Sequence, residues 1–261
     1  MNKKMSLLST IMYPAINQNK LEIANKLLSL FEDNEVFHPL LWGDTDMLKL
    51  EYSREEILHR LEDGLSSDIY IYGDKKIKLS GEFDFSFNVR STFSMSVGKA
   101  FPQKKWPDFF ELSDEIARIC RPTFGVSHLF WHSNLTWANE LEKVQHWMDT
   151  AADPVTVKFL PNGPLGLGMY TYFDGFVLDM FGRDFLMKAP CLVKELDWGA
   201  IRLDLMDKPW DANLGELLSN WMKVMEYLNL SNNLAIPIFS EDNDWIDFRP
   251  SENWDLYLKN N

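Results

Sequence analysis

The fold turns on one stretch of the chain: Glu82-Phe83-Asp84-Phe85-Ser86-Phe87-Asn88-Val89-Arg90-Ser91-Thr92-Phe93-Ser94-Met95-Ser96-Val97. Phe83, Phe85, Phe87, Val89, Phe93, Met95 and Val97 are apolar, and polar residues fill the positions between most of them. Alternation at period 2 puts the apolar side chains on one side of an extended backbone, which predicts sheet with one buried and one wet face. One-sided wetting belongs to antiparallel sheets, because parallel sheets are covered on both faces. The stretch is either one long strand or two strands with a bend near Ser91. Just before it, Ile69–Tyr72, the turn pair Gly73-Asp74 and Ile77–Ser80 read as a hairpin.

Helical periodicity flanks this sheet. Leu21, Ala24, Leu27, Leu28 and Phe31 share one face of a helix over 20–31. Ser53 and Glu56 form a capping box ahead of Ile57, Leu58 and Leu61, with Gly64 as the stop, which predicts a helix over 54–63. Pro107 opens a third helix through Phe109, Leu112, Ile116 and Ile119, and Thr136 caps a fourth carrying Trp137, Leu141, Val144 and Met148. Strands are predicted at Thr123–Trp131, Tyr170–Phe176, Ala200–Leu205 and, last, Leu234–Phe239. A shorter helical piece lies near 179–187, and the longest late helix runs through Leu214, Leu218, Trp221, Met225 and Leu228. Helices and strands intermingle without βαβ alternation. The prediction is an α+β fold, mainly antiparallel sheet with helices packed on one face. The chain reads as a single domain over 1–261, with 150–164 as the one turn-rich place for a sub-boundary.

Bulk properties narrow the function classes. Against 39 Asp and Glu stand 26 Lys and Arg, a formal charge of −13. Such a surface repels nucleic acid and anionic lipid and attracts basic proteins or cations. Ten Trp and eighteen Phe provide ample core, and any exposed Trp is a natural anchor for a partner. Two cysteines, Cys120 and Cys191, make no disulfide framework, and Cys120 reads as a buried free thiol. Lys3 and Lys4 precede a short apolar stretch from Met5 to Met12, but Ser6, Ser9 and Thr10 dilute it, Pro14 ends it and no cleavage site follows. No apolar run is long enough for a membrane span. A cytoplasmic protein is expected, with no membrane and no nucleic-acid partner.

Motifs that would carry chemistry are weak. Cys120, His128, His132 and His146 suggest zinc, but on a strand His128 and His132 would stand about 13 Å apart. Gly163, Gly166 and Gly168 precede a strand, whereas a dinucleotide loop follows a strand and opens a helix. No P-loop, G-x-S-x-G or H-E-x-x-H is present. No cofactor, metal or catalytic residue is therefore assigned, although a hydrolase using a carboxylate pair, or Asp with His, stays as an alternative. A third possibility is an acidic adaptor for another basic protein.

One cluster is dense. Glu241, Asp242, Asp244, Asp247, Glu252 and Asp255 face the single cation Arg249, with Trp245, Phe248 and Trp254 interleaved. Either the tail folds its aromatics onto the core, or it presents an anionic surface with aromatic anchors. On the second reading the partner-binding residues are Glu241, Asp242, Asp244, Trp245, Asp247 and Trp254. Glu51, Glu55, Glu56, Glu62 and Asp63 form a second acidic stretch, read as the wet face of a helix.

A further set of residues runs in a recognisable order. Gly163-Pro164-Leu165-Gly166-Leu167-Gly168 leads into Tyr170-Thr171-Tyr172-Phe173, then Phe181-Gly182-Arg183-Asp184-Phe185-Leu186 and Ala189-Pro190. Leu196-Asp197-Trp198-Gly199 and Asp207-Lys208-Pro209-Trp210 follow. This order resembles the immunity proteins of bacterial polymorphic and type VI secretion toxin systems, most nearly the immunity protein 52 family. It covers about a quarter of the chain. The resemblance implies a cytoplasmic antidote without enzymatic activity that binds a cognate toxin, often a nuclease, and blocks it. An anionic surface could then fill the basic phosphate groove of such a nuclease.

Overall fold

The N-terminal segment that reads as a diluted apolar run is the middle of the sheet. In the computed structural model, which describes residues 5–260 apart from 89, 132–136, 138, 154–161, 212, 241 and 243–244, Met5–Tyr13 forms β1. The chain continues through α1 (Lys20–Glu32), β2 (Leu41–Gly43), β3 (Leu50–Glu51), α2 (Arg54–Glu62), β4 (Asp68–Tyr72), β5 (Ser80–Asp84) and β6 (Phe93–Gly98). Next come α3 (Trp106–Cys120), β7 (Phe124–Trp131), α4 (Glu140–Ala151), β8 (Tyr170–Phe173), α5 (Gly175–Phe181) and α6 (Arg183–Leu186). The last elements are β9 (Leu192–Glu195), β10 (Ile201–Asp204), α7 (Leu214–Asn229), β11 (Ile236–Phe239), β12 (Ile246–Arg249) and α8 (Glu252–Asn260).

Ten strands form one sheet in the order β3-β2-β4-β5-β6-β1-β7-β8-β10-β9, and β11 and β12 form a second, two-stranded sheet. The pairings found are antiparallel. The α+β class with a dominant antiparallel sheet follows directly. The strand before 150–164 pairs with the strand after it, β7 with β8, Phe124 lying opposite Phe173.

The deciding stretch is two strands. β5 and β6 pair with Phe83 opposite Phe93, and the bend falls at 85–92, where Phe87 has φ 47°. Phe83, Phe85 and Phe87 all gather on Phe93 at 5.1–5.8 Å between ring centroids. Such aromatic pairs contribute roughly 0.5–1.5 kcal/mol each beyond area burial. The expected hairpin is corrected in its second arm: β4 pairs with β5, Ile69 opposite Phe83, and 77–79 belong to the connecting loop.

Register assigns the faces. On β7 and β8, Gly125 lies opposite Tyr172 and Ser127 opposite Tyr170, whereas Phe124 and Val126 lie opposite Phe173 and Thr171. Successive residues point to opposite faces, so Tyr170 and Tyr172 look one way and Phe173 and His128 the other. The first face carries α1–α3: Phe31 meets Phe83 at 5.6 Å, Cys120 Sγ lies 3.9 Å from Met12 Sδ, and Phe110 meets Tyr170 at 4.9 Å. The second face carries α4 against His128 and α5 against Phe173, with α7 packed on α4 through Trp221 and Trp147 at 5.0 Å. The helices, expected on one face, are thus divided. The physical reason is that β1, β7, β8 and β10 are buried on both faces, β10 with the Arg202–Asp204 pair on one of them, so both faces are covered. Over β4, β5 and β6 only the first face is buried.

Local signals hold where capping sets them. The Ser53 side chain accepts from Glu56 N, and Gly64 takes φ +67° after α2. The cap of α4 is Asn139, whose side chain accepts from Glu142 N at 3.0 Å; Thr136 lies outside the described residues. The buried thiol is found as expected: Cys120 is fully buried, and burial pushes its pKa up.

Gly163 sits at a close approach. It has φ +74°, and a Cβ there would stand 2.6 Å from Trp254 Cδ2. Gly163→Ala is expected to destabilise by about 1–3 kcal/mol, because both the left-handed backbone and the indole oppose it. A urea titration followed by tryptophan fluorescence reads this directly.

Candidate partner-binding surface

The C-terminal segment does not trail off as a tail. It folds back as the β11–β12 hairpin and then as α8. Ile236 pairs with Arg249, Pro237 with Phe248, Ile238 with Asp247 and Phe239 with Ile246. Pro237, Phe239, Ile246 and Phe248 therefore share the inner face. Phe239 lies edge-on to Trp147 at 5.8 Å and takes the Lys143 ammonium over its ring at 4.4 Å. The outer face holds Ile236, Ile238, Asp247 and Arg249. Ser240 N donates to Trp245 O at 3.2 Å and extends the pairing by one step.

The outer face leaves three large apolar side chains in water. Ile236 is 39% exposed, Ile238 43% and Trp245 52%. A contiguous apolar stripe on a solvated sheet marks an interaction surface more often than a single exposed residue does. Asp242, Asp247 and Glu252 are exposed around it, and Arg249 is the cation among them. At the Ile236 end a pocket of about 370 Å³ opens, lined by Asn229, Asn232, Leu234, Ile236, Pro237, Ser251 and Glu252. An aromatic anchor, aliphatic neighbours and an acidic rim are the parts a protein interface is made of.

The sequence-predicted residues divide. Asp242, Trp245 and Asp247 lie together on or beside the hairpin's open side. Glu241 and Asp244 lie outside the described residues. Trp254 is corrected: it is fully buried and cannot serve as an exposed anchor. It and Tyr257, three residues on along α8, share the inward stripe of the helix, where Phe176 stacks on Tyr257 at 4.9 Å and Trp254 packs beside both. Ile236 and Ile238, on the hairpin's outer face, are not among the sequence-predicted residues. Ile236-Pro237-Ile238-Phe239 is apolar throughout and carries no alternation, so only Ile246-Asp247-Phe248-Arg249 signals a two-faced strand, and the outward turn of Ile236 and Ile238 comes from pairing with it.

Two polar clusters lie in the interior, Arg202 with Asp204 and Asp114, and His128 with Asp149. In the first, Arg202 Nε and Nη2 donate to Asp204 at 2.6 and 2.8 Å, and Nη1 reaches both oxygens of Asp114. Tyr172 OH donates to Asp114 Oδ1 at 2.6 Å, Lys194 Nζ lies 3.1 Å from Asp204, and the guanidinium sits 3.9 Å over the Tyr170 ring. Two cations meet two carboxylates, and each is paired. Beside it, burial first and then the Asp204 charge push the Cys191 thiol up to about 12, so it is no thiolate at neutral pH. This cluster ties α3 to β8, β9 and β10 and gives Tyr170 and Tyr172 of the motif run a framework role. Arg183 does the same nearby, donating to Glu195 at 2.6 Å and to the Gly199 carbonyl.

The second cluster is His128 with Asp149. His128 is fully buried, and its Nε2 lies 3.2 Å from Asp149 Oδ1. Burial raises the Asp149 pKa against the pull of His128. Ser9, opposite His128 on β1, gives its hydroxyl to the Met95 carbonyl. The pair is enclosed between β7 and α4, with Phe130 4.8 Å from the imidazole. His132 lies outside the described residues. Among the described residues no group of three His, Cys, Asp or Glu is placed to hold a metal ion, and no helix is long and apolar enough to cross a membrane.

Fold and surface together define an α+β protein on a wide antiparallel sheet, with a C-terminal hairpin turned outward. The same fold occurs in the solved Pseudomonas aeruginosa T6SS protein PA0821, at a TM-score of 0.51 and 12% identity, covering 98% of this chain and 81% of that chain. At that identity the likeness is one of fold. The duplicated taurocyamine kinase from Schistosoma mansoni matches at a TM-score of 0.30 and 10% identity, over 87% of this chain and 33% of that chain, too low to carry an argument. No family model and no curated protein matches the chain.

Proposed function

We propose that the protein is an immunity protein of a type VI or polymorphic toxin system, which binds and neutralises a cognate basic toxin through its acidic C-terminal surface. One observation carries the reading: the outer face of the β11–β12 hairpin leaves Ile236, Ile238 and Trp245 in water beside Asp242, Asp247 and Glu252. The motif order over 163–221 and the fold shared with a T6SS protein support it. The protein acts by occlusion and needs no cofactor. A nuclease toxin fits best, because its phosphate groove is cationic and an anionic rim would be steered into it. The site of action is the cytoplasm of the producing cell.

Co-expression tests the proposal. The product of the neighbouring gene is induced in a host cell with and without this protein. Restored growth and a complex eluting as one species are expected. No rescue and no complex with any adjacent product would overturn the reading.

A further inference from the structure

The second face of β4, β5 and β6 is a sheet face that no helix covers among the described residues. Burial alternates along each strand: Ile69, Ile71, Gly81, Phe83, Phe93, Met95 and Val97 are buried, and the residues between them are half-buried or exposed. Register arranges the open side in rows. Tyr72, Ser80 and Ser96 form one row, Tyr70, Glu82 and Ser94 the next, and Asp68 stands opposite Asp84 in the third. The three strands bear these three carboxylates and no Lys, Arg or His.

Asp84 accepts from Ser86 N at 2.8 Å and Glu82 from the Tyr70 hydroxyl at 3.2 Å, so both have local roles, but the facing of Asp68 and Asp84 is one the fold does not require. Like charges directly opposite on paired strands destabilise a sheet, and Asp68 faces Asp84. The cost is felt at the site: burial, and after it the Asp84 charge, raise the Asp68 pKa. The two tyrosines lie in the same negative field. Burial first, then Glu82, Asp68 and Asp46 push Tyr70 up to about 12. The chain itself shows what such a face attracts, because exposed Lys49 places its Nζ 4.3 Å from the Tyr72 ring centroid. Cations stack on aromatic faces and pair with carboxylates in this way at interfaces.

We propose that this open face is a second docking surface, and that it takes an extended lysine- or arginine-bearing segment of a protein partner, its cations set between Asp68, Glu82 and Asp84 and stacked on Tyr70, beside the Tyr72 ring that Lys49 already covers. The surface is separate from the β11–β12 hairpin. The assignment goes beyond the immunity reading and does not require the partner to be a toxin.

The probe is a fluorescein-labelled twelve-residue peptide of alternating arginine and glycine, titrated at low salt and read by anisotropy. The variant Asp68→Asn/Glu82→Gln/Asp84→Asn is compared with Glu55→Gln/Glu62→Gln/Glu111→Gln, which removes the same charge from helix surfaces elsewhere. The first is expected to weaken binding about tenfold or more, and the second by no more than about twofold. Equal losses would show attraction to net charge alone and overturn the proposal. Asp68→Asn by itself keeps the test open if the triple variant folds poorly. It is expected to raise the melting temperature, by relieving the like-charge pair, while it weakens the peptide. A raised melting temperature with unchanged affinity would equally overturn it.

Discussion

Arg202→Met is expected to lower the unfolding free energy by about 3–5 kcal/mol and the melting temperature by roughly 10 °C. Arg202 is 3% exposed and Asp204 is fully buried. Methionine keeps most of the volume, so the loss is electrostatic: Asp204 keeps only the half-exposed Lys194, and Asp114 keeps only the Tyr172 hydroxyl. A buried charge whose main partner is removed costs more than the intact pair gained. The companion variant Arg202→Met/Asp114→Leu/Asp204→Leu removes the stranded carboxylates and should recover more than half of the loss. Chemical denaturation of both variants measures this. A single variant as stable as the wild type would mean that the cluster does not tie α3 to β8–β10. Its second consequence is functional. Variants of this cluster should lose partner binding only in proportion to the unfolded fraction, because none of its members lies on the hairpin.

Trp245→Ala should behave in the opposite way. The indole is 52% exposed and flanks β12 without joining the inner face. Its truncation should change stability by about 0.5 kcal/mol or less, as surface substitutions do. At the centre of an interface the same truncation costs about 2 kcal/mol or more, roughly 30-fold in affinity. Asp242→Lys/Asp247→Lys should act mainly on association rate, and its effect should shrink as salt rises. Trp254→Ala is the contrasting control. It empties a core site against Gly163, Phe176 and Tyr257, so it should unfold the protein before it reports on binding.

These contrasts mark where the sequence was legible. β5 and β6 could be read because one face is wet, and wetness writes the alternation. β1 could not, because Leu8, Thr10 and Met12 are buried on one face and Ser9 and Tyr13 on the other. An apolar run buried on both sides has no period to find. Helices α1, α2, α3 and α7 were readable from their stripes and caps. The division of helices between two faces was not, since it depends on which strands end up central. Trp245 and Trp254 look alike in the sequence, nine residues apart in an acidic stretch. Only the hairpin turn and the α8 stripe send one outward and the other inward. The Arg202 cluster draws on residues from 114 to 204, so no local motif announces it.

The central claim is that the acidic hairpin surface is where the partner binds. The most direct measurement is the affinity of the co-eluting partner for Trp245→Ala and for Asp242→Lys/Asp247→Lys, each with its melting temperature. The account predicts affinity losses of about 30-fold and about tenfold, with melting temperatures within a few degrees of the wild type. Unchanged affinity in both variants, with both still folded, would contradict it.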